Sequence, residues 1–279
     1  MWGGSTWLRH DADGSWYAAR TATGPATVQL WREASRLRAR AWGPGAEALL
    51  DQVPELVGLH TPGVAAIRPQ HAFVADAVAR HRGIRQGRTG QVYPQLVAAA
   101  LAQKVTGPNG KRALSAIAWR WGEPAPGPRD DLCLLPLPRA LANRAYHEFH
   151  PLNVERRRAD LLRRIGDRAS ALERAAGMEA VAGRAHLEKL PGIGPWTSGV
   201  VMGGPLGDPD AVPLADYHLP NWVAYNLAGE ERADDGRMMA LLAPYEGQRG
   251  LVARLVKGGG GRAPPRRGPR NSVLDIRGL

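Results

Sequence analysis

Between residues 187 and 203 the chain reads LEKLPGIGPWTSGVVMG, with two prolines and two glycines interleaved inside a stretch that is otherwise helical. AHLEKL closes one helix, Pro191-Gly192-Ile193-Gly194 makes a tight hairpin, and Pro195 suits the first turn of the next helix, PWTSGVVMG. Such a hairpin leaves backbone N–H groups beside a helix N-terminus. With the helix dipole behind them these groups bind a phosphate without any side-chain charge, and glycines let a nucleic-acid backbone come close. Ile193 is expected to pack the hairpin between its helices. A helix corner of any kind can use Gly and Pro, but the full order Leu-Pro-Gly-Ile-Gly-Pro-Trp-Thr is far more specific than one glycine. Downstream, the second helix stops at Gly203-Gly204-Pro205, a loop GDPDAVPLA follows, and Asp216 arrives just before Tyr217-His218-Leu219-Pro220 and the helical run NWVAYNLAG. A carboxylate at a helix entrance commonly serves as an N-cap. Only one short helix and one loop separate this one from the hairpin, so it should also lie close to a bound phosphate.

Those residues need a scaffold, and the pattern changes along the chain. Residues 1–88 contain short strand-like pieces, SWYAARTA, ATVQLWRE and RLRARAWG, with helical character appearing in HAFVADAVARH. This predicts a small N-terminal antiparallel β-rich domain. From Val92 the spacing is helical through YPQLVAAALAQKV, KRALSAIAWRWG and VERRRADLLRRIGDRASALERAAG. In the last of these Leu161, Leu162, Ile165, Ala169 and Leu172 share one face, and Arg156, Arg157, Arg163, Arg164 and Arg168 lie on the solvated side. Residues 89–257 therefore read as a mainly α-helical domain with the hairpin at 187–204, and the fold class as α+β. Residues 258–279, rich in Gly, Pro and Arg, read as a flexible basic tail able to add nonspecific nucleic-acid affinity, or to dock through Val273, Leu274 and Ile276.

Composition narrows the partner. The 279 residues, 44% of them hydrophobic, are enough for a real core. The formal charge of +11 favours a polyanion, with nucleic acid first. Of 37 basic residues 33 are Arg, which tracks coding bias as much as chemistry, so net charge carries the weight. One cysteine, Cys133, excludes an internal disulfide framework and any four-cysteine metal site, and reads as a small buried hydrophobe. No basic-then-apolar leader opens the chain and no run of about 18 apolar residues occurs. A cytoplasmic protein, not membrane-bound and monomeric, is the expectation. His147 and His150 in YHEFH have helical spacing but no ligand set around them, so neither a metal nor another cofactor is expected; Trp119 and Trp121 read as packing residues.

LPGIGPWT followed by DAVPLADYHLP resembles the helix-hairpin-helix DNA glycosylase superfamily, and most of all the inducible bacterial 3-methyladenine DNA glycosylases. The resemblance implies an N-terminal β domain ahead of helical subdomains, double-stranded DNA containing a damaged base as partner, and Asp216 as the essential catalytic carboxylate. It places Gly192, Ile193, Gly194 and Thr197 at the DNA backbone, with Trp196 and Tyr217 as aromatic candidates for the base pocket. More weakly, it extends to YPQLVAAALAQKV, where Gln103 and Lys104 match a Gln and a neighbouring wedge that fills the gap left by a flipped base; Lys104 departs from the bulky apolar wedge that is more usual.

The implied chemistry is extrusion of a damaged nucleotide and cleavage of its N-glycosidic bond. Positive charge grows on the sugar as the bond breaks, and Asp216 would stabilise it or orient water. An alkylated purine is already cationic and leaves readily, and electron-rich rings favour it. His218 is assigned a packing or hydrogen-bonding role. Bifunctional members carry a Lys at the position of Trp196, and an indole cannot form their imine, so a monofunctional enzyme is expected; Lys189 and Lys104 are the other amines to consider. The alternatives are a glycosylase for oxidised guanine or uracil, and a noncatalytic DNA-binding module.

Overall fold

Alternating apolar and polar residues punctuated by glycine build the N-terminal sheet. In the computed structural model, which describes residues 5–266 and 275–277, β1 (Leu8–Asp11), β2 (Gly14–Thr21), β3 (Gly24–Glu33) and β4 (Arg36–Trp42) form an antiparallel meander in sequence order. Gly14 opens β2 at φ +121°, where a Cβ would run into the Leu30 carbonyl of β3, so the turn demands glycine. Tyr17 pairs with Val28 and Val28 with Ala41. Trp16 and Trp42 stack with centroids 5.5 Å apart, and α1 (Ala46–Asp51) covers the sheet with Leu49 fully buried. The three strand-like pieces of the sequence are β2, β3 and β4, and HAFVADAVARH holds α2 (Ala72–Arg80).

The helical periodicities give α3 (Val92–Ala102), α4 (Gly107–Trp121) and α5 (Arg156–Glu173). In α5 the five apolar residues named from the sequence are all buried, and the five arginines named with them are exposed. Arg158 is the exception on that helix. It is 5% exposed, and its guanidinium donates to the Leu101 carbonyl at the end of α3 (2.8 Å) and to the Asn153 carbonyl (3.1 Å) while pairing with Glu155. A buried cation thus satisfies one of the orphan carbonyls of α3 just before Gln103 and Lys104. Cys133 is buried. Trp121 packs edge-on against Phe149, whereas Trp119 is 49% exposed and is not the packing residue expected.

The remaining principal helices are α6 (Ala180–Glu188), α7 (Pro195–Gly203), α8 (Leu219–Ala228), α9 (Asp235–Leu242) and α10 (Arg249–Gly258). The described residues divide into two compact units, one of 5–54, 93–171 and 275–277, the other of 55–92 and 172–266. The chain therefore leaves the first unit before α2 and returns at α3. The core of the second unit gathers Val74 of α2, Leu219 and Val223 of α8, Met238 and Leu242 of α9, and Val252 of α10. Part of the expected flexible tail is held in place. The Asn226 side chain donates to the Arg262 carbonyl and accepts from its N–H (2.9 and 2.8 Å), and Arg232 donates to the Pro265 carbonyl at 2.9 Å. The Ile276 N–H donates to Asn153, while Val273 and Leu274 lie outside the described residues. Among the described residues no helix is long and apolar enough to cross a membrane.

Candidate active site

The hairpin is a turn of a defined kind. Lys189 ends α6, and the Ile193 N–H donates to the Leu190 carbonyl at 2.9 Å, closing Leu190-Pro191-Gly192-Ile193. Proline stands second and glycine third, with Gly192 at φ +102°, which is what a type II turn requires. Gly194 is extended (φ −108°, ψ −175°) and caps α7, its carbonyl accepting from Ser198 N–H at 3.0 Å, and Pro195 opens the helix. Ile193 is 4% exposed and wedges the corner. A Cβ on Gly194 would meet nothing within 4 Å, so neither backbone conformation nor internal packing demands glycine there. The two helices are also clamped by a bond the sequence did not announce: the fully buried Ser198 hydroxyl donates to Glu188 at 2.5 Å.

The loop after α7 runs back along that helix. A Cβ on Gly199 would sit 2.6 Å from Pro213 Cα, and the Arg184 guanidinium donates to the Val212 carbonyl at 2.9 Å. This close return brings Asp216 to the start of α7. The Trp196 indole N–H donates to Asp216 Oδ2 at 2.8 Å, and the backbone N–H groups of His218 and Leu219 both donate to Oδ1 at 2.8 Å. The carboxylate therefore does cap the entrance of α8, and in the same geometry it is presented to the hairpin helix.

Burial pushes the Asp216 carboxyl up, but the charge of Lys257 and the hydrogen bonds from His218, Trp196 and Leu219 outweigh it, and its pKa lies below the usual aspartate range. It is an anion at neutral pH. Its backbone is tethered as well: Ala215 adopts the left-handed conformation (φ +59°), unfavourable for a residue with a Cβ, and its N–H donates to Asp235 Oδ2 of α9 at 2.7 Å. Lys257 and Asp235 were not singled out from the sequence. Lys257, the last residue of the expected helical domain, belongs to the last turn of α10.

Gly192, Ile193, Gly194, Trp196, Asp216 and Tyr217 thus lie in one unit, Trp196 and Asp216 in direct contact. Tyr217 is 83% exposed, its ring meeting His218 edge-on. Thr197 is 2% exposed, so its side chain is turned inward and offers no surface to DNA. Gln103 and Lys104 belong to the other unit, where exposed Lys104 has a left-handed backbone (φ +54°) just past α3.

Comparison with known proteins bears on the whole arrangement. No family model matches the chain. It is 17% identical to the 3-methyladenine DNA-glycosylase from Archaeoglobus fulgidus, with a TM-score of 0.75 over 91% of this chain and 90% of that one. Against the 8-oxoguanine glycosylase/lyase of Clostridium acetobutylicum in complex with DNA the TM-score is 0.65 at 15% identity, covering 89% and 95%. Its fold is that of the helix-hairpin-helix DNA glycosylases. In sequence it is 41% identical over 59 residues to the probable bifunctional transcriptional activator/DNA repair enzyme AlkA of Mycobacterium tuberculosis, a stretch covering 21% of this chain and 12% of that protein. Over 122 residues it is 28% identical to the putative DNA-3-methyladenine glycosylase YfjP of Bacillus subtilis, 42% of each. The matches span less than two thirds of either relative's length. The fold is shared with glycosylases named for 3-methyladenine and for 8-oxoguanine alike, while the partial sequence matches are to AlkA and to a putative 3-methyladenine glycosylase.

Proposed function

We propose that this chain is a monofunctional DNA glycosylase that extrudes a damaged base, an alkylated purine of the 3-methyladenine kind, and hydrolyses its N-glycosidic bond. The observation that carries this reading is the Trp196–Asp216 pair: an ionised carboxylate held at both oxygens beside a phosphate-binding type of hairpin. As the C1′–N bond breaks, its electron pair leaves with the base and positive charge develops at C1′. A fixed anion there stabilises the transition state without reorganising. Water then adds to C1′ and gives up its proton, for which Asp216 is the acceptor. A cationic alkylated base departs neutral, so no strong general acid is required.

The hairpin supplies position. Gly194 has no internal reason to be glycine, which fits a backbone approaching from outside, and main-chain phosphate contacts hold DNA without reading its sequence. Gln103 and Lys104 are proposed to fill the space left by the flipped base. Trp196 takes the place of the imine-forming lysine of bifunctional relatives, and its indole is committed to orienting Asp216. Its ring, with that of Tyr217, is proposed to favour an electron-poor base.

A panel of duplexes carrying methylated purines, oxidised guanine or uracil tests the reading. Release of methylated purine is expected. Preferential release of oxidised guanine, for which the likeness to the 8-oxoguanine enzyme speaks, would move the substrate and keep the mechanism. Binding without release from any duplex would leave a noncatalytic module.

A further inference from the structure

The β3–β4 hairpin extends past the rest of its sheet. Ser15 of β2 pairs with Leu30, so Trp31–Glu33 and Arg36–Arg38 are paired only with each other, and the chain is exposed from Arg32 through Arg40. Four of those residues are arginines, Arg32, Arg36, Arg38 and Arg40, against one acid, Glu33. Because strand side chains alternate, Arg36, Arg38 and Arg40 project from one face at steps of roughly 6.8 Å. Trp31 lies opposite Arg38 on that same face, and Trp42, stacked on Trp16, continues the row. Arg38 is paired with Glu33 at 2.6 Å, but among the described residues no acidic side chain pairs with Arg36 or Arg40. The tip is a two-residue turn with Ala34 at φ +52°, its carbonyl accepting from Arg32 at 2.8 Å, so the ribbon ends in a fixed turn.

We propose that this arginine ribbon is a second DNA-binding element, which lays Arg36, Arg38 and Arg40 against the phosphates of a duplex independently of the hairpin at 190–195. Duplex DNA presents a negative charge for about every 1.7 Å of its axis, so an extended row of fixed cations meets phosphates in any register. The binding is sequence-independent. Charged residues on an edge strand also discourage strand-to-strand association, which would leave the row no ligand at all. The inference rests on duplex DNA being the partner, but its readout is binding, not base release.

The test replaces Arg36 and Arg40, the two without acidic partners, by threonine, which suits a strand. Affinity for a long undamaged duplex is measured against salt, with a thermal melt as a check of folding. The double variant should bind more weakly at low salt, with the slope of log K against log salt shallower by roughly 1–2, about one for each phosphate no longer neutralised. Arg36→Lys with Arg40→Lys should keep the wild-type slope, and release of damaged base at saturating duplex should be unchanged in both. An unaltered slope in a folded threonine variant would overturn the proposal, and concentration-dependent self-association alongside it would assign the row to edge protection. A protein that releases no base yet shows the shallower slope would refute the glycosylase reading and leave this one standing.

Discussion

The two connections that flank α7 keep their shapes by opposite means. The hairpin before it is held by its own backbone: a proline and a glycine at the two central turn positions, one internal hydrogen bond, and a proline at the helix start. The loop after it is held by residues from elsewhere. Gly199 gives Pro213 room, Arg184 takes the Val212 carbonyl, Asp235 fixes the left-handed Ala215, and Arg249 binds Asp210 at 2.9 Å. A short motif can carry the first kind of loop intact, whereas the second depends on partners that must be brought in by the whole unit. The DNA-gripping part of the proposed site is of the first kind and the carboxylate that reacts is of the second.

Changes at each connection should separate accordingly. The largest effect is expected at the end of the return loop: Asp216→Asn should lower base release by roughly 10²–10⁴-fold in single-turnover measurements while duplex binding persists. Near-normal release would remove Asp216 from the mechanism. Next, Gly199→Ala forces a Cβ against Pro213 and should destabilise by about 1–3 kcal/mol in denaturant titrations, with release lowered too because the loop is displaced. Asp235→Ala should slow release about tenfold with KM unchanged, the size of one positioning hydrogen bond, and Asp235→Asn, which keeps an acceptor, should restore it. A uniform change in stability with no kcat effect would make Asp235 merely structural.

The hairpin should answer differently. Gly194→Ala meets no protein atom, so its melting temperature should stay at the wild-type value while affinity for all duplexes falls about fivefold. Smallest is a shift in pH dependence. With its pKa depressed, Asp216 stays ionised as pH falls past the ordinary aspartate range, so release and this group's contribution to stability are lost only below it. Lys257→Met removes one lowering influence, and the acid limb should move to higher pH; an unmoved limb would show that Lys257 does not act on the carboxylate.

What was legible in the sequence follows the same division. The type II turn, the helix start at Pro195 and the buried face of α5 are written in neighbouring residues. So were three of the strands, since their alternation and glycine turns are local. That Asp216 would lie beside the hairpin helix was readable from its distance along the chain. Asp235, Lys257 and the Ser198–Glu188 clamp were not, because each acts on a residue distant in sequence or ordinary in type. Thr197 shows the converse: its place in the motif does not reveal that the first turn of α7 buries its side chain, which leaves only the main chain for the proposed DNA contact. Residues 258–266 look unable to build a core, and they do not build one. They are held by backbone bonds to Asn226 and by Arg232, which composition does not reveal. The passage of 55–92 into the second unit was equally hidden, since a change of periodicity marks where elements change and not what they pack against.

In the proposed mechanism Asp216 works on the sugar without a covalent partner, with Trp196 standing where bifunctional glycosylases are proposed to carry an amine. Incubating the protein with a methylated duplex in the presence and absence of borohydride tests that claim directly. The expected result is free base and an abasic strand that breaks only on later alkali treatment, with no protein–DNA adduct in the borohydride sample. An efficiently trapped adduct with matching strand nicking, abolished on substitution of Lys257, Lys104 or Lys189, would contradict it.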